Sequence, residues 1–348
     1  MNKAKFILSK KIAKNKVETL KKLGLKVSYS YKTNKEVGNV LQKICPEVNF
    51  SIHEIEEIDM IDNKNKIWFF IQAESNSELE QILNKGVRNF VIDNKEDLDR
   101  ILKVIFKNKI QINLSLRMKF QEHRIGTGKY FVYGLPSRLI NELVEKIKDN
   151  QFIKKLGIHV HRKTQNTSEW DIKNEIQESL NKKTLKRINF LNLGGGLPSM
   201  YRSYISNMFP YIFERLIETK TFLDKYEIET MIEPGRFISA ESVVLETEII
   251  QIQEKTIVVN TSIYNCALDT TLTGTKMLVK GELSENDKGE YYLIKGKSPT
   301  RDDIFRYKVK LKKPKVGDKI IFLNAGAYNY TTDFCCLQKL KTEITENF

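Results

Sequence analysis

Short apolar segments alternate with longer, charged segments of helical period through the first two-thirds of the chain. Strands are apolar or alternating over about four to eight residues, whereas helices repeat apolar positions about every 3.6 residues. Eight segments of the strand type precede residue 240, namely VSYSYK (27–32), EVNFSI (47–52), KIWFFIQAE (66–74), VRNFVID (87–93), QINLSLRM (111–118), KKLGIHVHR (154–162), INFLNLGGG (188–196) and ETMIEPGR (229–236). Because strands that alternate with helices form parallel sheets, these units predict a closed (β/α)8 barrel.

The pattern changes after residue 240, where the apolar segments become short, alternating and rich in β-branched residues. They are SVVLETEIIQIQ, TIVVNTSIY, KMLVKGEL, EYYLIKG, FRYKVKLKK and DKIIFLN, and helical period returns only in the tail. Such segments are typical of an antiparallel β domain. We therefore predict an α/β protein in which residues 27–238 form the barrel and residues 239–348 form a C-terminal antiparallel β domain, which the N-terminal segment 1–26 joins.

Composition places the chain among globular proteins. It has 348 residues, of which 41% are hydrophobic, and this excludes disordered and collagen-like classes. The longest apolar runs are too short to cross a bilayer, and the N-terminus lacks the features of a secretory signal. Four cysteines, two of them adjacent, give neither a disulfide framework nor a zinc-binding spacing. A cytoplasmic protein without membrane association is expected.

The formal net charge of +14 is compatible with a nucleic-acid, membrane or anionic-ligand partner. The lysines are spread along the chain, however, and neither an aromatic–basic RNA-binding motif nor a zinc finger is present. A lysine-rich composition bias explains the charge better, so nucleic-acid binding is not expected.

Candidate chemistry lies where the predicted barrel strands end, since barrel enzymes carry their active sites at that face. Lys32 ends the first strand among aromatic residues, where a partly desolvated amine could form a Schiff base; the alternative is an ordinary surface lysine. The run Gly194, Gly195 and Gly196 ends the seventh strand. Its backbone N–H groups could approach a phosphate, unless the run is simply a flexible loop.

The sixth and eighth strands end in further candidates. In IEPGR, Glu233 could pair with a ring nitrogen and Arg236 could neutralise a phosphate, or the two could form a surface pair on a turn. His159 and His161 share one face of a strand, but no third ligand motif accompanies them and no metal is expected. We interpret His161 as a ring that stacks on a flat ligand and His159 as a core residue. Tyr328 could reach a phosphate oxygen or pack in the core.

With these motifs, the chain resembles the fold-type III, pyridoxal-phosphate-dependent decarboxylases, which include ornithine, arginine, carboxynorspermidine and diaminopimelate decarboxylases. YSYKTN is similar to the family's Tyr-Ala-Val-Lys-Ala-Asn motif, and GIHVHRKTQ to its Gly-Leu-His-x-His-x-Gly-Ser-Gln motif. LNLGGGLP, IEPGR and GAYNY match its Gly-Gly-Gly, Glu-Pro-Gly-Arg and Gly-Ala-Tyr motifs. The motifs occur in the family's order over nearly the whole chain. The resemblance implies an alanine-racemase-like barrel followed by a β domain.

The resemblance also implies a cofactor, pyridoxal 5'-phosphate (PLP), and a role for each motif. Lys32 would hold PLP as a Schiff base, Glu233 would keep its pyridine nitrogen protonated, and His161 would stack on its ring. The phosphate would be bound by Gly194, Gly195, Gly196, Gly235, Arg236 and Tyr328, with Thr164 in place of the family's serine. The family further implies head-to-tail homodimers whose active sites are completed across the interface.

The turn SPTRDDIF (298–305) resembles the Gly-Pro-Thr-Cys-Asp/Glu-x-x-Asp turn that the family reaches across its dimer interface. Asp302 would bind the distal ammonium group of the substrate, and Asp269 in ALDTT is a looser candidate for a second acidic contact. Arg301 falls on the family's cysteine, which returns a proton to the α-carbon, and arginine is a poor general acid.

Three consequences of Arg301 stay open. Another group could donate the proton, the candidates being Cys335, Cys336, Tyr330 and water. Arg301 could bind an anionic substrate group, for which Arg162 and Lys163 add positive charge near the mouth. Protonation could instead move to the carbonyl carbon of the cofactor, which gives an aldehyde.

The activity implied by the resemblance is that of a PLP-dependent carbon–carbon lyase that decarboxylates a small-molecule amino acid. A distal amine is expected on the substrate, as in ornithine, lysine, diaminopimelate, arginine or a modified derivative. A decarboxylation-dependent transaminase or an amino-acid racemase on the same fold is the alternative, because of Arg301. A non-catalytic PLP-binding homologue is the second alternative, and the retention of Lys32, Glu233 and Arg236 together argues against it.

Overall fold

The computed structural model describes residues 3–120, 133–202, 208–329 and 331–348. The strands are β1 (Lys5–Ser9), β2 (Lys26–Ser30), β3 (Asn49–Ile52), β4 (Ile67–Phe70), β5 (Asn89–Ile92), β6 (Ile112–Arg117), β7 (Ile153–His159), β8 (Phe190–Asn192), β9 (Glu229–Ile232), β10 (Val243–Gln253), β11 (Thr256–Val259), β12 (Leu278–Val279), β13 (Glu290–Lys295), β14 (Ile304–Leu311), β15 (Lys319–Leu323) and β16 (Lys341–Thr345). The α-helices are α1 (Lys10–Lys22), α2 (Lys35–Ile44), α3 (Ile55–Ile58), α4 (Asn76–Asn84), α5 (Lys95–Asn108), α6 (Ser137–Ile147), α7 (Ile172–Ser179), α8 (Lys182–Leu185), α9 (Phe209–Asp224), α10 (Arg236–Ser242), α11 (Ile263–Cys266) and α12 (Leu268–Thr273).

The strands β2 to β9 close into a barrel in which each neighbouring pair is parallel, so the predicted (β/α)8 barrel is confirmed. Its interior is filled by side chains. Trp68 on β4 and Phe190 on β8 place their ring centroids 5.0 Å apart, and Val91 and Met231 complete this buried cluster. Because the interior is packed, the space for a ligand lies at the carboxyl ends of the strands.

The first helix, α1, packs against α10 on the outside of the barrel. Ser9 caps it by accepting a hydrogen bond from the backbone N–H of Ile12 (3.2 Å). Ala13, Val17 and Leu20 follow the helical period and are fully buried, so they form the apolar face that docks the helix.

The second sheet has the strand order β12–β15–β10–β11–β13–β14, and β1 pairs with both β10 and β16. Most of its pairs are antiparallel as predicted, but β1 with β16 and β11 with β13 are parallel, so the sheet is mixed. The tail forms the strand β16 where helical period was expected. It lies beside β1, and the two ends of the chain therefore share one sheet.

Two short helices, α11 and α12, interrupt the strands of this domain and were not expected from the alternating pattern. Ser262 caps α11 in a reciprocal arrangement with Asn265. The helix α12 ends at Gly274, which adopts a left-handed conformation (φ +69°). Within the described ranges, none of the helices has the length and apolarity that crossing a bilayer requires.

Candidate active site

Lys32 lies in a single 3-10 turn, Tyr31–Thr33, directly after β2. Both tyrosines that precede it are fully buried and anchored. The Tyr29 hydroxyl lies 2.6 Å from Ser239 Oγ and donates to the Asn34 carbonyl (2.9 Å), and the Tyr31 hydroxyl donates to Asn39 Oδ1 (2.7 Å). These contacts fix the backbone on both sides of Lys32, whose exposed side chain lines the cavity at the barrel mouth.

The same turn joins the barrel to the second domain. Asn34 caps α2 by accepting from the Val37 N–H (3.2 Å), and its side-chain amide donates to the Gly326 carbonyl (2.8 Å). The Tyr328 N–H donates to the Thr33 carbonyl (3.0 Å). Tyr328 has a left-handed backbone (φ +58°), which is costly for a bulky residue and is often retained at functional sites. The GAYNY segment is thereby placed beside Lys32.

Glu233 follows β9 and is 6% exposed at the floor of the cavity. Its Oε1 accepts hydrogen bonds from Ser51 Oγ (2.8 Å) and Asn192 Nδ2 (2.9 Å), and its Oε2 lies 2.8 Å from His159 Nε2. Burial alone would raise the pKa of the carboxyl group, but the charge and hydrogen bond of His159 and the hydrogen bond from Ser51 hold the pKa below its ordinary value. Glu233 is therefore a carboxylate at neutral pH.

His161 follows β7 and lines the same cavity. Its Nδ1 accepts a hydrogen bond from the Gly195 N–H (3.2 Å), which leaves its proton on Nε2. Burial, with positive charge from Arg117 and His159, lowers the pKa of His161 to about 3, so the ring is neutral. The imidazole can thus offer an uncharged flat face.

His159, interpreted as a core residue, is fully buried, yet it lines the cavity and contacts Glu233. The ligand atoms of His159, His161 and Glu233 lie within 4.8 Å of one another, a set that could also hold a metal ion. Sequence reasoning missed the contact between His159 and Glu233 because His159 was interpreted as a core residue. The Glu233 carboxylate already makes three hydrogen bonds, which hold it in one orientation at the cavity floor.

The glycine run after β8 is required by close approach between loops. Gly194 (φ +69°) and Gly196 (φ +106°) have left-handed backbones, and a Cβ at Gly194 would collide with the Val160 carbonyl. A Cβ at Gly195 would come within 3.0 Å of the Glu233 carbonyl and 3.1 Å of the His161 ring. Gly194 and Gly196 therefore require glycine, whereas a side chain at Gly195 would force its neighbours to shift slightly, and the loop lies against both His161 and Glu233.

Gln165 holds the glycine loop to the segment that follows β7, a contact that the sequence did not indicate. Its Oε1 accepts from the Ser199 N–H (2.6 Å) and its Nε2 donates to the Ser199 carbonyl (3.0 Å). The Asn166 N–H donates to the Gly196 carbonyl (3.0 Å) beside it. The two loops therefore form one unit.

Arg236 begins α10 and is 3% exposed. Its Nε donates to Thr164 Oγ1 (3.2 Å), and its guanidinium carbon lies 5.2 Å from the centre of the Tyr328 ring. Gly235 lies against Thr33, where a Cβ would collide with the Thr33 hydroxyl. Three residues proposed for one phosphate site, Thr164, Arg236 and Tyr328, are thus in contact.

Asp269 lies elsewhere than expected. Its carboxylate is 2% exposed and forms an ion pair with Arg236 (2.6 Å), and it lines neither of the two cavities at the barrel mouth. A substrate contact by Asp269 of the same chain finds no support in this arrangement.

The cavity at the mouth has a volume of about 400 Å³ and is lined by Lys32, Glu233, His159 and His161, together with His53, Phe70, Arg117, Lys119 and Tyr133 among others. The Arg117 guanidinium lies 5.2 Å from the centre of the Tyr133 ring. A second cavity of about 820 Å³ shares Lys32 and His53 with the first and extends between the barrel and the mixed sheet. Lys32 and His53 thus border both cavities.

The turn that carries Arg301 and Asp302 is exposed, and neither residue lines the two cavities within the described part of this chain. Asp303 is the structural member of the turn. It is fully buried and accepts from the backbone N–H groups of Ile263 (2.9 Å) and Ser298 (3.0 Å). Asp303 thereby holds Arg301 and Asp302 at the tip of the turn.

The positive residues after His161 are paired within their own loop region. Arg162 is 1% exposed and forms an ion pair with Glu175 of α7, and Lys163 pairs with Glu169 (2.8 Å). Both charges are compensated locally, which weakens the hint of an anionic substrate. Among the proposed alternative proton donors, Cys336 is exposed, whereas Tyr330 and the side chain of Cys335 lie outside the described residues.

The chain matches a family model described as the pyridoxal binding domain of pyridoxal-dependent decarboxylases, over residues 9–240. Diaminopimelate decarboxylase of Bacillus methanolicus is 25% identical over 304 residues, which is 77% of this chain and 67% of that protein.

Solved structures of similar fold include diaminopimelate decarboxylase from Helicobacter pylori complexed with L-lysine (TM-score 0.82, 20% identity, 100% of this chain and 93% of that chain). Arginine decarboxylase from Paramecium bursaria Chlorella virus bound to agmatine gives a TM-score of 0.76 at 20% identity, over 99% and 96% of the two chains. At these identities the likeness establishes the fold.

Proposed function

The chain belongs to the pyridoxal-dependent decarboxylases, and we propose that it removes the α-carboxylate of an amino acid that carries a distal amine. The family uses PLP, which supplies an electron sink for the electron pair that remains when carbon dioxide leaves. The chain is accordingly a carbon–carbon lyase.

The residues at the barrel mouth fit this cofactor. A carboxylate offers about four acceptor positions, and Glu233 uses three of them, so it can still accept from a protonated ring nitrogen. The Gly194 and Gly195 N–H groups already donate to Asn192 Oδ1 (2.9 Å) and His161 Nδ1 (3.2 Å), so this run would serve a phosphate by allowing close backbone approach, and the start of α10 would offer it backbone N–H groups. Lys32 lines the same cavity as Glu233, as an amine that binds an aldehyde must.

Each side chain then has a defined task. Lys32 would bind the cofactor's aldehyde carbon, and Glu233 would hold the proton on the ring nitrogen. His161, neutral because its pKa is lowered, would present an uncharged face to the ring. Gly194, Gly195, Gly196, Gly235, Arg236, Thr164 and Tyr328 would hold the phosphate.

The single observation that carries the proposal is the buried Glu233 carboxylate in one cavity with Lys32. Its lowered pKa keeps it charged, so it would stabilise a protonated ring nitrogen and thereby strengthen the electron sink that decarboxylation needs. A racemase is favoured less by this arrangement, because the related alanine racemases place an arginine at the ring nitrogen.

The distal amine is proposed from the two solved complexes of similar fold, which contain L-lysine and agmatine. In this chain, Asp302 is the candidate for binding that amine, from the exposed tip of its turn. Because Asp302 does not line the cavities of its own chain, we propose a homodimer in which it reaches the partner's cavity.

The test is a panel of amino acids with and without distal amines, incubated with the PLP-loaded protein. We expect carbon dioxide from diamino or guanidino acids, and its absence with Lys32→Ala. Lys43→Ala, which changes an exposed lysine on α2, is the matched control. Carbon dioxide release that persists in Lys32→Ala would contradict the role of Lys32.

Identification of the product decides between the proposed activity and its rival. An amine product supports simple decarboxylation, whereas an aldehyde supports decarboxylation-dependent transamination. Decarboxylation-dependent transamination is the second candidate because Arg301 occupies the position of the family's proton-donating cysteine. Arg301→Cys is expected to shift the product towards the amine if the rival is correct.

A further inference from the structure

Arg236 and Asp269 form a buried, two-pronged ion pair between the barrel and the mixed-sheet domain. Arg236 Nη1 lies 2.6 Å from Asp269 Oδ2, and Nη2 lies 2.8 Å from Oδ1. The two residues are 3% and 2% exposed. Parallel hydrogen bonds of this kind fix the plane of a guanidinium group as well as its position.

Other contacts use most of the remaining donors of Arg236. Nε donates to Thr164 Oγ1 (3.2 Å), and Nη1 also donates to the Tyr201 hydroxyl (3.0 Å). The guanidinium carbon lies 5.2 Å from the centre of the Tyr328 ring and 5.5 Å from that of the Tyr201 ring. Among the residues that the structure describes, four of the five N–H groups of Arg236 are engaged with protein atoms, and the second N–H of Nη2 has no acceptor there.

Asp269 is itself held in place. Its backbone N–H donates to Asn329 Oδ1 (3.0 Å), next to Tyr328. Thr273 Oγ1 donates to the Asp269 carbonyl (2.7 Å) and lies 3.3 Å from Oδ1. The carboxylate is therefore oriented before any ligand binds. Its two oxygens in turn orient the Arg236 guanidinium group.

The ion pair also compensates the positive charge of the buried Arg236 side chain. A guanidinium ion that is almost wholly buried is destabilising unless a counter-ion accompanies it, and Asp269 supplies that counter-ion. The site consequently offers an anion one oriented N–H group of a guanidinium whose charge is already paired, rather than a free positive charge.

We propose that Asp269 is a positioning residue that holds Arg236 ready for the phosphate of the cofactor, and that it does not select the substrate. The assignment rests on the proposed function, since it presupposes that this site receives PLP. It also accounts for an acidic residue that the family resemblance had placed, loosely, at the substrate.

The experiment measures by equilibrium dialysis how tightly wild type and Asp269→Asn each bind PLP and pyridoxal, which lacks the phosphate. We expect the variant to bind PLP about tenfold more weakly, because a charge-assisted contact that orients the phosphate donor is lost. Pyridoxal binding is expected to be unchanged. Glu282→Gln is the matched control, since Glu282 forms a similar two-pronged pair with the buried Arg306 in the mixed-sheet domain.

A cycle with Arg236→Gln separates positioning from a general effect on the fold. If Asp269 acts through Arg236, adding Asp269→Asn to Arg236→Gln causes no further loss of PLP affinity. The double variant removes both buried charges, so this comparison stands even if Asp269→Asn alone is recovered unfolded.

Unchanged or tighter PLP binding by Asp269→Asn overturns the assignment. Equal losses for PLP and pyridoxal do the same, as does an undiminished loss in the Arg236→Gln background. If the substrate KM rises while PLP affinity is unchanged, Asp269 is a substrate residue. If wild type itself fails to bind PLP, the proposed function is wrong and this assignment fails with it. If wild type binds PLP and Asp269→Asn binds it equally well, only the assignment of Asp269 is wrong.

Discussion

At the scale of the residue, environment decides what each titratable group can do. Glu233 and His161 lie in one cavity, yet the pKa of each is displaced downwards for a different reason. Glu233 is charged because hydrogen bonds and His159 outweigh its burial. His161 is neutral because burial is reinforced by the positive charge of Arg117 and His159. The pair thus gives a charged floor and an uncharged side face.

The lowered pKa of His161 makes the stability of the ligand-free protein depend on pH. An unfolded histidine is protonated below about 6.5, whereas His161 in the folded state stays neutral down to about 3. The unfolded state therefore binds more protons in this window, and the free energy of unfolding falls as pH drops, by up to about 1.4 kcal/mol per pH unit. Urea denaturation between pH 7 and 4.5 measures this slope.

His161→Gln and His161→Phe both remove the titrating group, so both are expected to flatten the slope over that range. The range stops at pH 4.5 because Glu233 also loses its stabilising charge as pH falls further. Two variants that kept the wild-type slope would show that His161 is not its source.

At the scale of the element, the glycine loop after β8 shows that loop conformation and loop packing are separate requirements. Gly194 needs both a left-handed backbone and close approach to the Val160 carbonyl. The Glu233 N–H donates to the Gly194 carbonyl (2.8 Å), so this packing also supports the segment that carries Glu233.

Gly194→Ala is expected to destabilise the protein and to weaken PLP binding, because the added Cβ forces the two loops apart. Gly281→Ala is the control, since Gly281 has a similar φ (+76°) with nothing within 4 Å of the added Cβ. The control should lose only about 1 kcal/mol of unfolding free energy, the cost of a left-handed alanine, and keep its PLP affinity. Equal effects of the two substitutions would show that loop packing is unimportant.

At the scale of the whole molecule, two chemistries lie apart in one chain. Lys32 and Glu233 line the cavity, whereas Asp302 lies at the tip of an exposed turn that Asp303 supports. A dimer that carries the turn into the partner's cavity would bring them together, as in head-to-tail assemblies.

Mixing two inactive variants tests this arrangement. Lys32→Ala and Asp302→Ala, dissociated and reassembled together, should recover about a quarter of wild-type activity, because half the dimers are then mixed and each has one intact site. The pair Lys32→Ala and Glu233→Gln should recover none, as both changes affect residues of the same cavity. Recovery in neither mixture would place Asp302 outside the partner's active site.

Sequence alone determined the barrel and the family, and it placed Lys32, His161 and Glu233, which line the cavity, at the ends of barrel strands. The reason is local: strand and helix periods are written in consecutive residues, and motifs such as YSYKTN, LNLGGGLP and IEPGR are contiguous. The β domain was also foreseen, although its two parallel pairs were not. The pairs β1–β16 and β11–β13 depend on which distant strands meet, and strand pattern does not specify this.

Only the tertiary structure decided which side chains share a charge or a hydrogen bond. It placed Asp269 on Arg236, His159 on Glu233 and Gln165 on Ser199, and it paired Arg162 with Glu175. Each of these contacts joins segments that no short motif connects. Their geometry follows from the closure of the barrel and the docking of the second sheet, and it is this geometry that sets protonation states and fixes donors.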